Sequence, residues 1–436
     1  MGLFEAFLVR RGVIEPLAAV EVLETVCQQR PRLGQLALRE RLLSVGEVCD
    51  VLERQVESRL PFGAIAVDLG YLTAGELGGL LQLQQRTGPR GAELLCSRGL
   101  LDDGSLRKLE AQYTSDLGSQ YAGEPQDADV TDLLAAQGLS LLLARARGVT
   151  PFAPAVASAL AHANAASFDP ESVAREIAKD RRLWPRLEYL ARAPWFAGMT
   201  CRLGCGHEGG AVALFAELGK ERTRELLYAL TFADVFDRGT ERESLTAHAV
   251  AIAAIAHTLA GWSKLVEPTL LGVAGLWHDV GRLLFCRSAE LDRAALGSDE
   301  EEFPTSSHLI ERMRFGFDHA VLGELALRLW GFPGEVASLV GLHHYHRPPV
   351  GLAAKSRIAL GLLEAADLFE HGFAARDSSQ FGRLEGLWSR FALAEALPLT
   401  RVRAEWRQLR DARTAALDAF EEYRVIAAPR PVASAG

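Results

Sequence analysis

The chain has 436 residues, of which 49% are apolar and 24% charged, and its formal net charge is -9. At roughly 150 residues per domain this length implies two or three units, and the apolar content excludes a predominantly disordered chain. The acidic balance excludes bulk attraction to DNA or RNA, while individually placed arginines could still hold a small anion.

The first residues, MGLFEAFLVRRGV, carry a glutamate and two arginines where a secretion signal would be apolar. Six scattered cysteines suit a reducing compartment. A cytoplasmic location is therefore expected.

Four segments then repeat a Gly or Arg followed by two apolar residues: Gly12-Val13-Ile14, Arg41-Leu42-Leu43, Gly70-Tyr71-Leu72 and Gly99-Leu100-Leu101. Ser44, Thr73 and Asp102 follow the last three and suit helix N-caps. Each unit reads as a helical pair joined by a Gly-assisted turn, and neighbouring pairs must stack to bury their apolar faces. This repeat module is expected to span 1 to 113. Residues 114 to 131 lose the periodicity, gather Ser, Gly, Pro and Asp, and read as a linker.

From 132 to 425 the chain is a succession of helical patterns punctuated by prolines, ending in a helical extension, and 426 to 436 read as a disordered tail. The spacing of Cys201, Cys205 and His207 could clip a metal, but no fourth ligand is near, and they are read as helix-end or loop residues. Ser244 to Ser263 lacks charged residues and is long enough to raise the question of a membrane span. The polar His248, His257, Thr246 and Thr258 within it favour a buried core helix, so no membrane span is expected. The fold class is all-α.

Seven polar residues sit in otherwise apolar helical segments: His248, His278, Asp279, His319, His343, His344 and Asp367. A buried imidazole or carboxylate is costly unless it is hydrogen-bonded, ion-paired or bound to metal. Two readings stand. In one the set ligates a divalent metal such as Fe, Mn, Zn or Ni, which can activate water. In the other it is a hydrogen-bonded polar core that fixes helix packing. His257 is nine residues past His248, half a turn out of phase, and is read as packing. His346, three past His343, and His371, four past Asp367, are candidates to support the ligands, and His207 and His308 read as loop residues.

The series His248, His278-Asp279 and Asp367 resembles the H…HD…D pattern of the HD superfamily of phosphohydrolases, and its surroundings resemble the HDOD family. TPFAPAVASALAHANAASFDPESVAREIAKDRRLWPRLEYL is similar to that family's opening, ALFAELGKERTRELL to its Leu-Gly helix, and HAVLGELALRLWGFPGEVASLVGLHH to its closing Trp-Gly-x-Pro turn and His pair. The likeness covers roughly 135 to 370. It implies an all-α bundle, usually regulatory and without demonstrated hydrolysis. His319, His343 and His344 occupy positions similar to additional ligands of HD-GYP cyclic-di-GMP phosphodiesterases. After the His pair, however, Tyr345-His346-Arg347-Pro348-Pro349 stands where those enzymes carry Glu and Gly-Tyr-Pro. If the domain is an enzyme, Asp279 is the catalytic residue the resemblance implies.

Within the repeats, Arg32-Leu33-Gly34 through Gln55 resembles the cyclic-di-GMP-binding motif of MshEN-type N-terminal domains, with a second copy running from Gly63 to Gln84. That resemblance implies a nucleotide held by Arg32, Leu33, Gly34, Gln55, Gly63 and Gln84. Pro61 replaces the motif's Arg in the second copy, Arg41 replaces the Gly of the first, and a third copy at Arg90-Gly91-Ala92 has shifted spacing.

Taken together, these resemblances imply a bacterial signal-transduction protein with an HDOD output domain and a cyclic-di-GMP-sensing repeat module. The alternative is a metal-dependent HD-type phosphohydrolase acting on a cyclic dinucleotide or other nucleotide. Signalling proteins are the expected partners, homo-oligomerisation is compatible with the sequence, and no nucleic-acid polymer is expected.

Overall fold

In the computed structural model the described residues are 4–29, 31–58, 61–87, 90–120, 152–192, 208–236, 240–286, 308, 311, 317–345, 347–374 and 382–427. Among them no strand occurs, and the fold is all-α. The chain divides into two units, one of Met1–Gly148 with Leu284–Leu325, the other of Val149–Leu283 with Ala326–Gly436. Assigning 284 to 325 to the first unit departs from the sequence division, which placed it with the second half.

The first unit begins with four helical pairs: α1 (Phe4–Arg10) and α2 (Pro16–Gln29), α3 (Leu33–Arg39) and α4 (Val45–Ser58), α5 (Phe62–Asp68) and α6 (Ala74–Thr87), α7 (Gly91–Ser97) and α8 (Asp103–Gln120). Each pair turns at the predicted residue, with Gly12, Arg41, Gly70 and Gly99 at φ 67, 56, 72 and 70°. The closing bonds repeat as well, the next amide reaching back five residues in Val13 to Leu8, Leu42 to Ala37, Tyr71 to Ala66 and Leu100 to Leu95. This is the left-handed C-terminal cap that satisfies the last carbonyls of a helix. The following helices start on reciprocal caps, Ser44 with Glu47 and Thr73 with Glu76, while Asp102 accepts from Gly104 and Ser105 amides. Leu36, Ala37, Leu43, Val51, Ile65, Ala66, Leu72 and Leu80 form the core between the middle pairs. Helix α8 runs to Gln120, seven residues into the stretch expected as linker, and the rest of that stretch lies outside the described residues.

The second unit contains α9 (Pro154–Asn164), α10 (Pro170–Ala178), α11 (Leu183–Arg192), α12 (Glu208–Phe236), α13 (Thr240–Ser263), α14 (Pro268–Trp277), α17 (Gly334–Leu342), α18 (Ala354–Ala374), α19 (Leu384–Arg390) and α20 (Leu399–Ala427). Helices α15 (Val280–Cys286) and α16 (His319–Leu329) cross the two boundaries between the units. Pro154, Pro170 and Pro268 open their helices, where the missing amide proton costs nothing. Gly219, at φ 68°, breaks α12 into two segments. The expected tail falls beyond Ala427, outside the described residues apart from its first two positions, which continue α20. Cys201, Cys205, His207 and His346 also lie outside them.

Helix α13 is the hub, packing against α14, α18 and α20. Its Leu245–Ser263 stretch is long and apolar enough to cross a membrane, and 67% of it is buried. Small side chains explain its centrality: Ala249, Ala251, Ala253, Ala256 and Ala260 are fully buried. At the crossing with α14, a Cβ on Gly275 would stand 3.1 Å from Ala253 Cα, so only glycine allows this approach. Trp277, at the end of α14, is buried against the rings of Phe232 and Phe332.

Candidate metal centre

The crossing at Gly275 decides where the polar residues go. His248 projects from α13; His278 and Asp279 follow immediately on α14; His343 and His344 follow α17; Asp367 sits on α18. Ligand atoms of His248, His278 and Asp367 lie within 4.8 Å of one another, and those of Asp279, His343 and His344 do likewise. Six of the seven predicted ligands are thus together in the second unit.

Asp279 stands between the two groups. Its Oδ2 is 3.4 Å from His278 Nε2, 3.8 Å from His248 Nε2 and 3.4 Å from Arg282 Nη1, while Oδ1 is 3.8 Å from His343 Nε2. Two ligands each about 2.1 Å from one ion stand roughly 3 to 3.5 Å apart, so this spacing suits a shared cation. The fit extends to ring orientation. His278 Nδ1 is 2.7 Å from the Gly275 carbonyl and His343 Nδ1 is 2.6 Å from that of Val340, each three residues back. Such ties aim the other ring nitrogen at a metal.

On the α18 side, Asp367 Oδ1 lies 3.4 Å from His248 Nε2 and 3.3 Å from His371 Nε2. Burial alone would raise the Asp367 carboxyl, but the two imidazoles hydrogen-bonded to it hold it well below its usual range. His371 moves the other way: burial would lower it, and Asp367 outweighs that and raises it. His278, Asp279 and His343 are 2% exposed, whereas His248, Asp367 and His371 reach 17, 27 and 29%, so the centre opens on the α18 side.

His319 belongs to the first unit, where it opens α16 fully buried. Its backbone amide and Nδ1 lie 2.8 and 2.6 Å from Glu311 Oε2. Glu311 went unnoticed in the sequence. So did Arg282, a buried guanidinium three residues past Asp279 whose i, i+3 spacing was the available signal. His257 is packing, as its phase predicted, with a buried Nε2 that makes no hydrogen bond and a pKa lowered by burial to about 4.

The expected nucleotide residues are placed less simply. Arg32 caps α3, its amide donating to Gln35 Oε1 at 3.0 Å, Leu33 packs on the repeat core, and Gln55 is half-buried on α4. A Cβ on Gly34 would meet the Phe62 ring at 3.2 Å and one on Gly63 would meet Leu77 at 2.5 Å, so each glycine lies against a side chain of a neighbouring helix. Gln84 is buried and donates from Nε2 to the Pro31 carbonyl at 2.7 Å. A 420 Å³ cavity in this module is lined by Glu40, Leu42, Glu76, Leu80, Leu83 and Arg86 among others, and by none of the six expected residues.

Comparison with known proteins gives one family match. Residues 150–346 match the HDOD domain family, and the repeat module lies outside that match. No curated protein matches the chain. Among solved structures, a Shewanella amazonensis protein named provisionally as a phosphohydrolase is 17% identical with a TM-score of 0.49, covering 64% of this chain and 97% of its own. An HDOD domain protein of unknown function from Geobacter sulfurreducens is 21% identical, with a TM-score of 0.44 and the same coverages. A second Shewanella amazonensis protein, provisionally a metal-dependent phosphohydrolase, is 16% identical, with a TM-score of 0.46 over 66% of this chain and 99% of its own.

Proposed function

We propose that this chain is a signalling protein whose second unit, which contains most of the HDOD match at residues 150–346, uses a divalent cation to hydrolyse a phosphoester. The observation that carries the reading is Asp279, whose two carboxylate oxygens each face imidazole nitrogens from different helices. Fe, Mn, Zn and Ni suit this imidazole and carboxylate set. His248, His278, Asp279 and Asp367 would hold one cation, and Asp279 with His343 and His344 offers a second position. A bound cation would supply a water acidic enough to attack phosphorus near neutral pH. The chain's own contribution is to orient that centre through the Gly275 and Val340 carbonyls and to hold the Arg282 guanidinium 3.4 Å from Asp279 Oδ2, where it could meet a phosphate oxygen. Tyr345 to Pro349 depart from the Gly-Tyr-Pro segment, so the substrate is assigned as a phosphoester and not specifically as cyclic-di-GMP.

The test is elemental analysis of purified protein alongside hydrolysis of bis(p-nitrophenyl) phosphate and cyclic dinucleotides, in wild type and Asp279→Ala. Metal in the wild type with Asp279-dependent product is the expected result. Metal without product leaves the second reading, a docking module for signalling partners whose centre is structural.

Cyclic-di-GMP sensing by the repeat module is a separate proposal. It rests on the sequence resemblance of the two motif copies, which the Gln84 bond to Pro31 brings side by side. Titration into wild type and Arg32→Ala decides it; equal binding, or none in either, removes the site.

A further inference from the structure

The H…HD…D pattern ends at Asp367, yet the chemistry on α18 continues for one more turn. His371 lies four residues on, with Nε2 3.3 Å from Asp367 Oδ1, the same oxygen that faces His248 Nε2 at 3.4 Å. The His248 and His371 rings are 5.1 Å apart. Asp367 therefore has imidazoles on both flanks, one on a neighbouring helix and one on its own. Unlike His278 and His343, whose orientation is set by backbone carbonyls, Asp367 is partly exposed and a carboxylate there would otherwise swing among rotamers.

From this geometry we infer that His371 is the positioning residue of the cation site, donating to Asp367 Oδ1 and thereby fixing the carboxylate that completes the ligand set with His248 and His278. The inference rests on the metal reading above. Supporting partners of ligating groups typically change metal affinity by about 10- to 100-fold when removed. His371 should fall in that range because it acts on the most exposed of the three ligands, where solvent and packing do least to hold the side chain.

The experiment strips the full-length protein with a chelator and titrates it with Mn²⁺ and with Co²⁺, reading affinity by calorimetry and, for Co²⁺, the visible absorption band. Wild type, His371→Ala, His371→Gln and Asp279→Asn are compared, and the thermal midpoint of each metal-free protein checks that the fold persists. The expected result is a loss of about tenfold or more in His371→Ala with stoichiometry preserved. His371→Gln, whose amide can still donate one turn from Asp367, should recover most of the affinity. A His371→Ala protein that binds like wild type would overturn the inference. So would loss of one equivalent of metal in both His371 variants, since His371 would then be a ligand itself. A wild type that binds no more tightly than Asp279→Asn overturns the metal reading, a failure distinct from either of these.

Discussion

Arg10 clasps the carboxylate of Glu324 across 314 positions of sequence, its Nε 2.9 and 3.1 Å from the two oxygens. The Glu324 side chain is fully removed from solvent and that of Arg10 is 13% exposed. The pair ties α1 to α16 within the first unit, so the segment around 319–325 belongs with the N-terminal helices.

Removing one partner of a buried pair strands the other charge. Arg10→Ala should cost about 3 to 5 kcal/mol in chemical denaturation, and Glu324→Gln added to it should recover a large part of the loss. The exposed Arg403 and Glu385 pair is the control, and its removal should leave the midpoint in place. A wild-type midpoint in Arg10→Ala would show that the pair contributes nothing.

Cation removal should be visible as lost stability. With cation at about 100 times its dissociation constant, linkage gives about 2.7 kcal/mol, so chelator should lower the thermal midpoint of wild type and leave Asp279→Asn unmoved. Identical shifts in both proteins would place the cation elsewhere.

Glu225 offers a pH test remote from the centre. Burial, reinforced by the Glu267 charge, pushes its carboxyl up to about 8. Between its ordinary 4.5 and about 8 the folded chain keeps a proton that the unfolded chain has released, so stability falls as pH rises through that window. Glu225→Gln mimics the protonated form and should flatten the slope, with a gain on the order of 3 kcal/mol at pH 8. An unchanged pH profile would contradict the assignment.

Arg41 is the one non-glycine among the four repeat turns, at φ 56°. The left-handed region costs an L-residue roughly 1 to 2 kcal/mol, so Arg41→Gly should stabilise by about 1 kcal/mol once the extra freedom of the unfolded chain is counted. Gly70→Ala should move stability by a similar amount in the opposite direction. A destabilised Arg41→Gly would mean that the arginine side chain contributes more than its backbone costs.

What could be read in advance follows the range of the forces involved. The repeat turns were legible because Gly or Arg, two apolar residues and a capping Ser, Thr or Asp act within a few positions of each other. His248, His278, Asp279, His343, His344 and Asp367 were legible because polar groups in apolar helices need partners. Arg282 escaped notice since a basic residue three positions after an acid is commonplace on helices. Placing 284–325 with the first unit had no local signature, because Arg10 and Glu324 find each other only in the folded chain. Helix α8 overran its expected end because the weak helix formers between Thr114 and Gln120 did not stop it. Gly34 and Gly63 look alike in sequence whether the close neighbour is a ligand or, as found, a side chain.

The carbonyl tethers on His278 and His343 have a consequence for how a cation would be received. A ring held through Nδ1 to a backbone carbonyl is fixed in orientation, so its Nε2 faces Asp279 before any ion arrives. Association then requires little beyond shedding water, and the entropy that a loose imidazole would lose on capture has already been surrendered during folding. An ion whose preferred geometry these two rings do not meet would then be unable to recruit them by rotation.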